Sequence, residues 1–181
     1  REAQALAQRA VDLDPNESTC FSMLGCVHLM ARDFDLSLQC LQRAVALNPG
    51  NQWNRADMGY VLGYLGEAEA SLASLANARE IDTYFEPPWY WRCVGLVHLL
   101  QHRHAEALAQ LERVPRPRNF RVIAMMAACH AQLGDIDAAR ACVADCLGAK
   151  PDFTVTGCMA KEPLRRAEGA AHLALSLRLA G

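Results

Sequence analysis

Apolar residues recur along this chain at intervals of three and four, the period of helices that bury one face. Phe21, Leu24, Gly25 and His28 form one such face, and after a break at Asp33 the positions Ser37, Leu41 and Ala44 form a second. The same paired pattern returns as Met58 and Gly59 with Ser71, Leu75 and Ala78. It returns again as Trp91, Val94 and Gly95 with Ala107, Leu111 and Val114, and as Ile123, Met126 and Ala127 with Ala139, Val143 and Cys146. Turn residues separate the members of each pair at Asp33, Gly66-Glu67 and Gly134-Asp135, while Asn48-Pro49-Gly50 and Lys150-Pro151-Asp152 end whole pairs. Residues 1–14 read as the second helix of an incomplete pair, with Ala3, Ala7 and Ala10 at its small packing positions. After Pro151 the pattern changes: a short helix is expected over Thr154 to Ala160, and a longer one, opened by Lys161-Glu162-Pro163, to about Leu179.

The pairs keep a fixed step. Pro15 and Pro49, Gly25 and Gly59, and Ala44 and Ala78 each lie 34 residues apart. Gly59 to Gly95 spans 36, which places a two-residue insertion near Tyr84-Phe85-Glu86, and Gly66 to Gly134 spans 68, so the Pro115-Arg116-Pro117-Arg118 loop removes the surplus. This period and its small positions resemble the tetratricopeptide repeat. The expected fold class is therefore all-α, a tetratricopeptide-like α-α superhelix: a right-handed solenoid of antiparallel hairpins at 18–51, 52–87, 88–119 and 120–151. A partial hairpin over 1–17 precedes them and capping helices over 152–181 follow.

Composition narrows the function more than the fold. A net charge of −2 over 181 residues gives no basic face for nucleic acid or an anionic membrane, and basic character rests on arginine, with Lys150 and Lys161 the only lysines. With no apolar run long enough to span a bilayer and no signal-peptide opening at Arg1-Glu2-Ala3-Gln4, the expectation is a cytoplasmic chain. Its start without methionine, inside an amphipathic pattern, suggests a piece of a longer protein. The eight cysteines lack the paired spacing of zinc sites and are read as small hydrophobes, Cys142 and Cys146 on one helix face included.

Nothing in the sequence assembles a catalytic motif: there is no GxSxG elbow, phosphate-binding glycine loop or HExxH. The expectation is a chain that is not itself an enzyme, with no cofactor and no metal site. His28, His98 and His130 hold the same place in three repeats, where the repeat pattern carries an aromatic ring, so they are read as packing residues too far apart to share an ion. His102 and His104 are expected to be solvated at a helix start.

The remaining candidate is the face formed by the first helix of each pair, where the frame places Trp53, Tyr60, Tyr64, Trp89, Arg92, Leu96 and Arg121, along with Cys26, Ala56 and Ala128. Aromatic and arginine side chains anchor interfaces, so a concave groove is expected that takes a protein or peptide segment, Arg92 and Arg121 pairing an acidic group of the partner. The lysine and asparagine of a dicarboxylate clamp for chaperone tails are missing from this face.

Nearly the whole chain further resembles a more specific group. Glu86-Pro87-Pro88-Trp89-Tyr90-Trp91, the run from Met126 to Gly134, Lys150-Pro151-Asp152-Phe153 and the ending from Met159 to Gly181 are similar to the carboxyl-terminal repeat regions of bacterial class III adenylate cyclase-like proteins. That resemblance implies a parent whose amino-terminal domain makes cyclic AMP from ATP with two metal ions, none of whose catalytic residues fall in this sequence. Similar tails also follow winged-helix transcription activators, which stands as the alternative parent.

Overall fold

The computed structural model describes residues 2–181, and among them every regular element is a helix. Eleven helices follow in chain order: α1 (Glu2–Leu13), α2 (Ser18–Ala31), α3 (Phe34–Leu47), α4 (Gln52–Leu65), α5 (Ala68–Ile81), α6 (Tyr90–Leu100), α7 (His104–Glu112), α8 (Phe120–Gln132), α9 (Ile136–Ala149), α10 (Val155–Lys161) and α11 (Ala167–Ala180). The chain divides into two compact units, one through Phe85 and the other from Glu86 onward.

In the first unit α2 pairs with α3 and α4 with α5, and α1 packs on α2. Local chemistry sets the starts. The Asn51 carboxamide accepts from the backbone N–H of Trp53 at 2.9 Å, and the Glu17 carboxylate accepts from that of Thr19 at 2.8 Å, each satisfying a donor that the first helical turn leaves open. Close approach sets the pairing. A Cβ on Gly59 would lie 2.6 Å from Leu75 Cγ and 2.9 Å from the Ser71 carbonyl oxygen, so α4 and α5 can meet only because that position is bare. Leu41, Ala44, Ala56, Val61, Leu75 and Ala78 form the buried seam.

The second unit repeats the plan with α6 and α7, then α8 and α9. Gly95 does for α6 what Gly59 does for α4, a Cβ there meeting Leu111 Cγ at 2.7 Å. In all four hairpins the turn passes through one left-handed residue at the equivalent place: Arg32 (φ 66°), Gly66 (φ 83°), His102 (φ 61°) and Gly134 (φ 82°). Two of these are the glycines expected for that conformation and two are not, so Arg32 and His102 carry a small backbone cost that the packed hairpins hold in place.

The carboxyl-terminal segment departs from expectation in one respect. Pro163 does not open the last helix; Glu162, Pro163 and Leu164 form a buried connector, and α11 begins at Ala167. Burial decides this, because Glu162 is only 2% exposed and Leu164 7%, so the segment is held by its side chains against the unit while the exposed Arg165 and Arg166 turn the chain. α11 then packs on α8, α6 and α9 through Leu173, Ser176, Leu177 and Ala180.

Candidate functional site

The structure separates the first-helix residues into exposed and buried sets. Trp53 keeps 47% of its surface exposed and meets Phe85 edge-on, ring centroids 4.8 Å apart. Tyr60, two turns further along α4, is half-buried and edge-on to Tyr64 at 5.0 Å. Tyr64 itself is 1% exposed, Leu96 1% and Arg92 8%, and Ala56 and Ala128 are buried completely. Tyr64, Arg92 and Leu96 are thus packing residues of their own units, which corrects their assignment to a partner-facing groove. A ring on a first helix satisfies the repeat pattern equally well when it lies in the seam.

Arg121 is also spoken for within the chain. Its Nη1 lies 3.4 Å from Oε1 of Glu162, whose side chain is 1% exposed, so the acidic group paired with it comes from the capping connector rather than from a partner. Trp89, half-buried, stands immediately before α6.

One polar residue on the first-helix face escaped the sequence reading. Asp57 lies four residues after Trp53 and three before Tyr60, on the same face of α4. It accepts a hydrogen bond from Ser22 Oγ on α2 at 2.7 Å. Partial burial pushes its carboxyl above the usual carboxylate range, opposed by the Ser22 bond, and with the Asp57 charge it also raises the neighbouring Cys26 thiol, for which burial is the larger cause. The i, i+4, i+7 spacing of Trp53, Asp57 and Tyr60 was the signal that could have found it.

The repeated histidines behave as packing residues with one instructive difference. His28 Nδ1 lies 3.2 Å from Asp33 Oδ2, and His130 Nδ1 lies 3.5 Å from Asp135 Oδ2, the acid in each case beginning the second helix of the hairpin. In the third hairpin that acid is replaced by Arg103, and the buried Nδ1 of His98 has no hydrogen-bond partner. Burial lowers the His98 pKa, and Arg103 lowers it further while Glu106 opposes.

The expectation that His102 and His104 are solvated holds for the exposed His102 but not for His104, and both rings have a partner in His172. His104 and His172 are both half-buried, with their Nε2 atoms 3.1 Å apart, and the exposed His102 ring lies against that of His172 with centroids 3.8 Å apart. All three rings belong to the second unit. Elsewhere in that unit an apolar cavity of about 180 Å³ lies among Ala127, Val143, Phe153 and Leu177, without a converging set of polar groups.

Against known proteins, residues 120–153 match the tetratricopeptide repeat family. The chain is 26% identical over 103 residues to an N-terminal acetyltransferase A complex subunit-like protein of Schizosaccharomyces pombe; the match covers 57% of this chain but only 14% of that protein. Among solved structures it is similar to PilW, described as a widely conserved type IV pilus biogenesis factor, with TM-score 0.75 and 18% identity over 96% of this chain and 82% of that one. It is likewise similar to YrrB, described as a tetratricopeptide repeat protein with an unusual peptide-binding site, with TM-score 0.62 and 14% identity over 96% and 95% of the two chains. The fold is that of tetratricopeptide-type hairpins, and these likenesses support a tetratricopeptide repeat domain. No helix among the described residues is long and apolar enough to cross a membrane.

Proposed function

We propose that this chain is a protein-interaction module that takes a short segment of a partner protein on the α4 face of its first unit, at Trp53, Asp57 and Tyr60. The observation that carries this reading is Trp53. A tryptophan left 47% exposed, but held edge-on by Phe85, is a rigid apolar anchor that loses little conformational freedom when covered. Asp57 supplies the polar element, so the segment that fits combines an apolar side chain for Trp53 and Tyr60 with a hydrogen-bond donor, a lysine, arginine or backbone N–H, for the carboxylate. The repeat fold and the peptide-binding site described for YrrB support this class of function.

Selection of short peptides from a random library against the 181-residue chain tests the reading. Selected peptides should quench Trp53 fluorescence, and Trp53→Ala should weaken them by about 30-fold, the effect of losing an anchor worth about 2 kcal/mol. Peptides that bind Trp53→Ala as well as the parent chain would place the interaction elsewhere.

As the wider setting we propose the carboxyl-terminal part of a bacterial signalling protein of the class III adenylate cyclase kind, where such binding would regulate the catalytic domain. The segments around Trp89, Cys129, Pro151 and Met159 support it. Sequencing the reading frame upstream of Arg1 decides it: a cyclase domain supports the assignment, and a winged-helix domain replaces it.

A further inference from the structure

The hairpin between α6 and α7 differs from the other three in being rich in histidine. His102 occupies the left-handed turn position and His104 is the first residue of α7. The third histidine arrives from far along the chain. Gly169 lets α11 lie close against the end of α6, since a Cβ there would come within 3.3 Å of Leu100 Cδ2, and His172 follows one turn later on α11. One nitrogen from each of His102, His104 and His172 lies within 4.8 Å of the other two.

We propose that His102, His104 and His172 form a binding site for a divalent transition-metal ion, Zn²⁺ by preference, which clasps α11 to the α6–α7 turn.

Geometry makes the case. Imidazole nitrogens bind zinc at about 2.0–2.1 Å, so two ligands on one tetrahedral ion stand about 3.3 Å apart. The Nε2 atoms of His104 and His172 are 3.1 Å apart, already at that spacing, and His102 is close enough to complete the set by a side-chain adjustment.

Electrostatics agree. Arg103, which lies between His102 and His104 in the chain, is turned to Glu106, Nε to Oε1 at 3.0 Å. Three imidazoles without a thiolate or carboxylate suit zinc, copper or nickel rather than magnesium or calcium. A three-histidine set leaves the fourth position of a tetrahedral ion to water.

Titration of the tag-free, metal-stripped chain with Zn²⁺ alone tests the site. One ion should bind per chain and raise the melting temperature. His104→Gln and His172→Gln should each weaken binding by at least the 10–100-fold that loss of a mere supporting partner costs. His130→Gln, in a different hairpin, should bind as the parent chain does. Co²⁺ provides a readout that does not depend on the stability of the variants: its visible bands should be those of a tetrahedral site without thiolate charge transfer. Failure to bind Zn²⁺, a thiolate band, or equal binding by His172→Gln that retains its helical circular dichroism would overturn the proposal.

Discussion

Ser71 donates its hydroxyl to the backbone carbonyl of Gly59 at 2.6 Å, across the line where α4 and α5 approach most closely. The preceding hairpin repeats the contact, Ser37 Oγ to the Gly25 carbonyl at 2.7 Å. The bare glycine and the small hydroxyl residue twelve positions later form one device: the first admits the neighbouring helix, and the second ties the two backbones together. Gly59→Ala should therefore destabilise the chain despite alanine's better helix propensity. Overpacking against Leu75 and the Ser71 backbone costs about 1–3 kcal/mol, and the propensity gain returns at most about 1. Ser71→Ala should cost about 0.5–1.5 kcal/mol, since the carbonyl can still bond within its helix. Urea unfolding followed by circular dichroism measures both, and an unchanged midpoint for Gly59→Ala would contradict the close-approach argument.

That device was legible in the sequence, because only a small set of residues fits there and the same set recurs at a fixed step. Side-chain destinations were less legible. Tyr64 and Leu96 satisfy the first-helix pattern whether they face a groove or the seam, and periodicity alone does not tell those faces apart. The histidine cluster was hidden for a different reason. His104 and His172 lie 68 residues apart, and α11 belongs to no repeat, so no spacing rule connects them. Pro163 misled because proline commonly opens helices, whereas here burial of Glu162 and Leu164 holds the connector extended past it.

Arg121 and Glu162 make a second prediction. The Glu162 carboxylate is buried and faces a partly exposed guanidinium at 3.4 Å, so removing the arginine leaves a buried charge with less compensation. Arg121→Ala should cost about 2 kcal/mol or more. Glu162→Gln, which removes the charge and keeps the shape, should be milder, and the double variant should recover part of the loss. Additive effects in that cycle would show that the two side chains are not coupled.

The thiols provide a third. Burial pushes the Cys129 thiol up to about 12, and burial with the Glu162 charge brings Cys158 to about 11, so neither forms appreciable thiolate near neutrality. Both should react slowly with a disulfide reagent at pH 7.5 until the chain unfolds, after which all eight cysteines should titrate rapidly. Rapid labelling of Cys129 in the native chain would mean that α8 opens far more readily than its burial implies.

Protonation gives the last prediction. His98, His104 and His172 all have pKa values lowered from 6.5, with burial as the leading cause in each. A base whose pKa is lower when folded binds its proton more readily in the unfolded chain. These three therefore favour the folded state above pH 6.5, and that contribution is lost as the pH falls through 6.5 toward their folded values. Asp57 acts with the opposite sign, because its carboxyl is raised on folding, so the histidine contribution must be isolated by difference. In metal-free buffer, the melting temperature of the parent chain should fall between pH 7.5 and 5.5 more steeply than that of the His98→Gln, His172→Gln double variant. Arg103→Asp should act through the same link: an acid beginning α7, as Asp33 begins α3, gives His98 Nδ1 a partner and should raise its pKa, read directly by NMR titration of the ring. Parallel pH profiles for the parent and double variant would refute the burial-driven linkage.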